Sequence, residues 1–244
     1  MKFNRESDGK FDLRKDITIP KINSSLFAEF YGIMLGDGCV YSNLNGICIS
    51  GNSILDNHYY NFYLSRMIQE LFNVKPHIYY TKNTKSIRCA IYSQEIAKFL
   101  VELGFPKGKK KLANPIIPLF IMNKNTLLKS CLRGLNDSDG SVYPQDNSKV
   151  ILDISITVNS LLDSTIKAFE NIDFPINHTY NRIYLCNENN VSLFFNKIGS
   201  SNMRHIIKYL HLKKHGFVPD TIQTERLLKL GKIPKIKLPY GPMV

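Results

Sequence analysis

The sequence predicts an α+β protein built from two tandem, pseudo-symmetric repeats, each running helix–strand–strand–helix–strand–strand–helix. Three observations carry this. Two look-alike stretches lie about a hundred residues apart, Phe30-Tyr31-Gly32-Ile33-Met34-Leu35-Gly36-Asp37-Gly38 and Leu132-Arg133-Gly134-Leu135-Asn136-Asp137-Ser138-Asp139-Gly140. The order of helical and strand periodicities that follows the first stretch recurs after the second. Shorter echoes also sit in matching places. Ile49-Ser50-Gly51-Asn52-Ser53 pairs with Ile156-Thr157-Val158-Asn159-Ser160, and Phe99-Leu100-Val101-Glu102-Leu103-Gly104 pairs with Phe194-Phe195-Asn196-Lys197-Ile198-Gly199.

Residues 1–23 are polar and charged and read as an N-terminal extension. The first repeat spans 24–112. Asn23-Ser24-Ser25 offers N-caps for a helix over 26–36. A hairpin follows, 39–41 and 47–50 around the turn-rich 42–46. Apolar residues at helical spacing (Tyr60, Tyr63, Leu64, Met67, Ile68, Leu71) predict a helix over 57–72. Strands at 76–81 and 87–93 flank the polar 82–85, and a helix over 94–103 ends at Gly104. The second repeat, 113–210, predicts helix 125–138, strands 140–143 and 150–157, helix 161–171, strands 176–180 and 182–185, and helix 189–198. Residues 211–244 form a basic, proline-punctuated tail in which 221–230 reads as one helix. Of the ring pairs Tyr79-Tyr80 and Phe194-Phe195, one ring of each is expected in the core.

Within each long stretch the small residues fall four apart, Gly32 with Gly36 and Gly134 with Ser138, on one helical face. A bare stripe of this kind lets one helix backbone press against another. Both stretches end in an acid followed by glycine, a usual residue just past a helix C-terminus. Two helices paired this way deliver Asp37 and Asp139 side by side. Carboxylates a few ångströms apart repel by about 1 kcal/mol in water and about 4 kcal/mol at an effective dielectric near 20, so such a pair is suited to holding a divalent cation.

The two stretches resemble the paired signature motifs of the LAGLIDADG homing endonucleases. Leu132 to Gly140 is the closer copy. The first copy departs at Phe30, Ile33 and Leu35 but keeps the typical ending Gly36-Asp37-Gly38. Two copies at domain-length spacing resemble the monomeric two-repeat branch. The resemblance implies an antiparallel β-saddle around a central pair of motif helices, and cleavage of both strands of a long, asymmetric double-stranded DNA site, each acid serving one strand. It covers about four-fifths of the chain, leaving out 1–23 and the tail.

The bulk numbers fit. A hydrophobic share of 43% and a charged share of 21% are those of a globular chain. No apolar run approaches a membrane span, so no membrane partner is expected. The N-terminus carries no apolar signal core, so an intracellular, cytoplasmic or organellar location is expected. Five scattered cysteines without a C-x-x-C read as buried thiols in a reducing compartment. A formal net charge of +12 favours a polyanion, nucleic acid first.

Asp37 and Asp139 are the candidate catalytic and metal-binding pair, with the neighbouring Gly36 and Ser138 completing the candidate metal site. Metal-assisted phosphodiester hydrolysis needs an activated water and charge stabilisation at the leaving 3′ oxygen. Mg²⁺ is the expected cation, with Ca²⁺ or Mn²⁺ as substitutes. The plain alternative, ordinary helix-end acids, runs against the helix dipole. Asp137 lies two residues from Asp139 and points elsewhere, in a structural or capping role.

The resemblance also implies a basic or polar group beside each acid. Gly108-Lys109-Lys110-Lys111 resembles a G-x-K segment and singles out Lys110, with a solvated, phosphate-touching loop of Lys109 and Lys111 as the alternative. The second repeat offers Arg204, His205 or Lys208. Asn52 and Asn159 stand where relatives often carry Gln or Lys. His205, His211 and His215 lack the Glu or Cys of a zinc site and are expected at the surface or on phosphate. For reading DNA the candidates are Tyr41, Asn43, Ser50, His77, Tyr79, Lys82, Lys85, Arg88, Tyr143, Gln145, Lys149, Asp153, Tyr180 and Arg182, with Arg204 and Lys208. A two-stranded ribbon fits the major groove, where all four base pairs differ.

The leading expectation is an intron-encoded or free-standing homing endonuclease; the starting Met and the ending Pro-Met-Val argue against an intein. An RNA maturase acting on intron RNA and a non-catalytic DNA-binding regulator are the alternatives, and both intact acids favour cleavage. With several phosphate contacts, affinity for duplex DNA is expected to fall on the order of 10³-fold or more between roughly 50 and 200 mM salt. A flat response in a filter-binding titration contradicts DNA as the partner.

Overall fold

Two antiparallel four-stranded sheets flank a central helix pair in the computed structural model, which describes residues 16–145 and 149–231. The first half runs α1 (Ser25–Gly36), β1 (Gly38–Val40), β2 (Ile47–Asn52), a π-helical turn (Tyr59–Leu64) continuing into α2 (Ser65–Phe72), β3 (His77–Thr81), β4 (Ser86–Ile91) and α3 (Gln94–Glu102). A 3₁₀ turn (Lys110–Leu112) and the short α4 (Leu119–Met122) lead into the second half. There follow α5 (Asn125–Asp139), β5 (Gly140–Gln145), β6 (Lys149–Ser155), α6 (Asn159–Glu170), β7 (Asn177–Thr179), β8 (Arg182–Cys186) and α7 (Glu188–Lys197). Two further helices close the described chain, α8 (Met203–His215) and α9 (Thr221–Lys229). The strand orders are β1-β2-β4-β3 and β5-β6-β8-β7, the same path taken twice.

Local chemistry starts the helices where the sequence marks them. Ser24 Oγ accepts from the Phe27 N–H at 3.2 Å, and Ser93 Oγ from the Ile96 N–H at 3.1 Å. Asp220 and Gln223 form a full capping box at the start of α9. α1 is buried on every side, Phe27, Phe30, Tyr31, Ile33, Met34 and Leu35 all being core residues. Such a helix cannot be amphipathic, because sheet and helix enclose it all round.

The contact of α1 with α5 rests on glycine. A β-carbon on Gly32 would stand 2.0 Å from the Cys131 carbonyl oxygen, and one on Gly134 would stand 2.1 Å from that of Glu29. Gly38 and Gly140 are also required, for a reason other than capping. Gly140 has φ −84° and ψ 157°, extended backbone and not the left-handed form, and Gly38 is not among the residues with positive φ. A β-carbon on Gly38 would strike Met34 Cα at 2.4 Å, and one on Gly140 the Asn136 carbonyl oxygen at 2.2 Å. The chain turns so sharply from helix into strand that no side chain fits.

Several expectations are corrected. The helix expected over 57–72 begins with a π turn, in which Ser65 Oγ holds the Tyr60 carbonyl oxygen at 2.8 Å. The register shows that the first echo is displaced. Gly38 faces Ile49 and Gly140 faces Ile154, so the counterpart of Asn52 is Thr157 and not Asn159. The second echo holds, since Leu103 N–H bonds Phe99 O as Ile198 N–H bonds Phe194 O. Both Tyr79 and Tyr80 are exposed, because β3 is an edge strand. Both Phe194 and Phe195 are buried, because α8 covers the second ring by stacking Tyr209 on Phe195 at 4.1 Å. α8 crosses position 210, where the sequence reading ends the second repeat. The expectations for residues 1–15 and 232–244 lie outside the described residues. Among the described residues no helix is long and apolar enough to cross a membrane.

Overpacking a core contact costs about 1–3 kcal/mol even where neighbours can shift, and the Gly32 and Gly134 neighbours are backbone. Gly32→Leu and Gly134→Leu are therefore expected to abolish the cooperative thermal transition. A normal melt with a normal elution volume in size-exclusion chromatography would refute the helix contact.

Candidate functional site

Because α1 and α5 touch backbone to backbone, their C-terminal ends emerge together. Asp37 caps α1 and Asp139 is the last residue of α5. Both are half-buried. The space above Gly36 is taken by α5 side chains, a β-carbon there standing 2.0 Å from Ser138 Oγ and 3.0 Å from Asp139 Oδ2. Among the described residues no donor lies within hydrogen-bonding or ion-pair distance of either carboxylate. Burial, then Asp139 and Asp56, push Asp37 up to about 7, against the pull of Arg204 and Lys110. Burial pushes Asp139 up to about 6, with Lys110 and Arg204 opposing.

Each half supplies one cation to the end of the helix carrying its acid. Gly108, at φ +74°, donates its N–H to Val40 O at 2.8 Å and steers the following segment along β1. Lys110 Nζ then donates to the carbonyl oxygens of Met34 (3.1 Å), Leu35 (2.9 Å) and Gly36. These are groups a helix C-terminus leaves without partners. Burial lowers the Lys110 pKa, and the two acids oppose that.

In the second half Asn202 caps α8 and presents Arg204. The Arg204 Nη2 group donates to the carbonyl oxygens of Asp137 (3.3 Å), Ser138 (3.2 Å) and Gly140 (3.5 Å). Lys110 and Arg204 thus do the same work on α1 and α5. Arg204 belongs at the acid pair and not on an outer DNA-binding surface, as the DNA-reading expectation had it.

The other candidates divide. The Gly36 and Ser138 carbonyl oxygens accept from Lys110 and Arg204, so they are taken by cations and not left open to a metal. Asn52 Oδ1 accepts from the N–H groups of Ile54 (2.9 Å) and Leu55 (3.0 Å) and so turns its own loop. Asn159 is exposed and lines a shallow groove with Asp163, His178 and Tyr180, which none of the acid-pair residues borders. Lys208 Nζ donates to Val142 O at 2.8 Å because α8 lies along β5, and burial lowers it to about 8. It is a strand-edge contact and not a free phosphate ligand. His205 is fully buried with Nε2 facing Arg204 Nε at 3.2 Å, not at the surface. Lys109 and Lys111 are exposed beside Lys110. No three His, Cys, Asp or Glu side chains among the described residues form a metal cluster.

Antiparallel partners share a sheet face, and the register gathers most of the DNA-reading candidates. On the first sheet Ser50, Arg88 and Tyr79 stand in one row, with His77 two residues along on the same face. Tyr41 joins them by stacking on Tyr92 at 6.4 Å, and Tyr92 contacts His77 at 5.6 Å. Asn43 is exposed in the β1–β2 turn and Lys82 at the β3–β4 turn. Lys85, in that same turn, is tied to Glu225 of α9 at 3.4 Å.

On the second sheet Tyr143, Gln145, Asp153 and Arg182 share the open face. Asp153 is buried there. Its carboxylate accepts from Tyr143 Oη at 3.2 Å and pairs with Arg182 at 3.8 Å. Asp153 therefore orients its neighbours and is not itself open to a base. Tyr180 is 85% exposed, beyond the face at the β7–β8 turn. Lys149 faces Gln145 in the ladder; its side chain lies outside the described residues.

Sequence reasoning missed Asp56, Glu29 and Asn202. Glu29 pairs with Arg133 at 2.7 Å inside the helix contact, and accepts from Tyr63 Oη and Ser201 Oγ, both at 2.7 Å. Asp137 faces this interior, accepting from Ser200 Oγ and from the Ser201 N–H at 2.8 Å. That is the structural role expected of it. The only sequence signal was negative: 199–202 departs from the first repeat because its hydroxyls and amide serve buried acids.

No protein-family model matches the sequence, and no curated protein matches it. Among solved structures, the N-terminal LAGLIDADG domain of DUF199/WhiA matches with a TM-score of 0.50 at 18% identity, covering 75% of this chain and 87% of that one. Full-length DUF199/WhiA from Thermatoga maritima matches with a TM-score of 0.50 at 14% identity, covering 90% and 70%. I-DmoI in complex with DNA and Ca matches with a TM-score of 0.48 at 14% identity, covering 80% and 100%. The chain has the LAGLIDADG fold.

Asp37 and Asp139 bind protons in the folded state that the unfolded chain, with Asp near 3.8, has already released. The native state therefore holds more protons between about pH 4 and 7, and these groups stabilise less as pH rises through that window. Asp37→Asn is expected to raise the melting temperature at pH 8 relative to the unaltered chain and to leave it nearly unchanged at pH 4. An equal shift at both pH values would contradict the raised pKa.

Proposed function

We propose that this chain is a monomeric homing-type endonuclease that cuts both strands of a long, asymmetric DNA duplex by divalent-metal-dependent hydrolysis. One observation carries the reading. Two half-buried carboxylates, one from each repeat, meet above a glycine without a protein donor on either, with a cation from each repeat beside them. A site left short of positive charge in this way fits Mg²⁺, which takes a few carboxylates and keeps its waters. Asp37 and Asp139 would hold it. When bound, the cation supplies an activated water and charge stabilisation at the leaving oxygen.

The protein's own groups do the rest. Lys110 and Arg204 fix the ends of α1 and α5, so both acids are held in place by backbone that cannot fray. The open sheet faces, with Tyr41, Ser50, His77, Tyr79 and Arg88 on one and Tyr143, Gln145 and Arg182 on the other, are suited to the major groove. Exposed Lys82, Lys109 and Lys111 suit phosphates. Hydrolysis joins the water oxygen to phosphorus, breaks the P–O3′ bond and leaves the proton on the 3′ oxygen. The two sheets, unlike in their side chains, support an asymmetric site.

The test begins with selection of cleaved duplexes from a random library with and without Mg²⁺. On a selected duplex, Asp37→Asn and Asp139→Asn are each expected to lower double-strand cleavage by about 10³-fold or more while binding is retained. Full cleavage by either variant removes that acid from the mechanism. Binding without cleavage by the unaltered chain leaves the DNA-binding regulator, and preference for structured intron RNA leaves the maturase.

A further inference from the structure

We propose that Asp56 is a positioning residue of this site: it reaches across from the first repeat, fixes Arg204 against the end of α5, and so makes the two strand-cutting halves chemically unequal. The assignment rests on the nuclease reading. Asp56 is 4% exposed. Its own backbone is pinned on both sides, its N–H on Asn52 O and its carbonyl oxygen on the Tyr60 N–H, both at 2.9 Å. Its carboxylate then meets donors from both repeats. Oδ2 accepts from the Asn52 N–H at 2.9 Å, and Oδ1 accepts from Asn202 Nδ2 at 2.8 Å. Arg204 Nη1 lies 3.2 Å from Oδ1 and 3.3 Å from Oδ2.

The donors of Arg204 are thereby divided. Nη1 is on Asp56, Nη2 on the carbonyl oxygens of Asp137, Ser138 and Gly140, and Nε on His205. A planar guanidinium held on three sides cannot turn toward a phosphate without leaving one of them. Lys110 is held differently. Its ammonium bonds three carbonyl oxygens in the first repeat, and among the described residues no carboxylate lies within ion-pair distance of it. An ammonium exchanges partners by rotation. The end of α5 is therefore capped by a charge-balanced, locked cation and the end of α1 by an unbalanced, adaptable one.

A staple between the repeats would explain the ion pair without function, but Glu29 with Arg133 already bridges α1 and α5 deeper in the seam. Asp56 instead ends on the two side chains that cap the helix of Asp139, Arg204 and Asn202, whose Nδ2 also donates to the Asp137 carbonyl oxygen at 3.1 Å. A purely structural pair would also act on both strands alike, whereas a positioning residue acts on the strand its cation serves.

The experiment measures single-turnover cleavage of each strand of an end-labelled duplex, together with binding and melting temperature. Asp56→Asn is expected to slow one strand by about tenfold or more, with the other within about twofold and binding unchanged. The slowed strand should be the one slowed by Arg204→Lys, and Lys110→Arg should slow the opposite strand. Asp56→Glu, which keeps the charge, should recover part of the rate. If Asp56→Asn loses its cooperative melt, Asp56→Glu carries the same strand comparison. Equal slowing of both strands, or no slowing by a folded variant, overturns the assignment while leaving the nuclease reading standing. A wild-type chain that cuts neither strand of any selected duplex overturns both.

Discussion

Two helix backbones in contact, with no side chain between them, set the geometry of this molecule. At Gly32 and Gly134 the α1 and α5 main chains approach until a single methyl group would overlap a carbonyl oxygen. No apolar pair of ordinary size permits that spacing. The consequence runs to the ends of the helices. Because the axes are locked one turn before the motifs finish, Asp37 and Asp139 emerge at a fixed separation, and Gly38 and Gly140 turn the chain at once into β1 and β5. Each sheet is hung from the residue following its acid, so the sheet faces and the acid pair share one frame.

The interior behind that contact is polar, which is unusual for a seam this tight. Glu29, Arg133, Asp137 and Asp56 are all nearly removed from solvent. A buried ion pair adds little net stability by itself, since desolvation offsets much of the attraction, but an unpaired buried charge is costly. The segment 199–202 resolves this by supplying the Ser200 and Ser201 hydroxyls, the Ser201 N–H and the Asn202 amide to those acids. The molecule is therefore less symmetric inside than its sheets imply. The first repeat has Lys110 on backbone alone, and the second has Arg204 inside a network drawn from both repeats.

The repeat, the helix pair and the two acids were legible because each rests on a local signal. Small residues four apart mark a helix contact, Asp-Gly marks a helix end, and the element order recurs. Lys110 was legible only through the resemblance of Gly108-Lys109-Lys110 to a G-x-K segment. Asp56, Glu29 and Asn202 were not, because a buried polar group is defined by partners far along the chain: Asp56 meets Arg204 across 148 positions. The displaced echo failed for a related reason. Ile-x-x-Asn-Ser recurs at 49–53 and 156–160, but pairing is set by which residue faces the glycine after the acid, and Ile154 holds that place in β6. A shift of two residues keeps every side chain on its face, so periodicity alone cannot detect it.

The electrostatics of the seam follow from these placements. Asp37, Asp139 and Asp56 bring three carboxylates to a site served by two cations, Lys110 and Arg204. Arg204 is also engaged by Asp56, and it and Lys110 together oppose the charge of the motif pair. Burial pushes both motif acids upward, Asp37 to about 7 and Asp139 to about 6, and the first is raised further by both other carboxylates. Carboxylates raised by burial, and in Asp37 also by like charge, have two remedies, a proton or a bound cation. Near neutral pH a divalent ion relieves both acids at once, whereas a single proton relieves one. The burial and like charge that would destabilise an ordinary helix end thus accord with the divalent cation of the proposed function. The cost is confined to the seam, because the glycine contact and the capped helix ends hold the acids together when repulsion alone would part them.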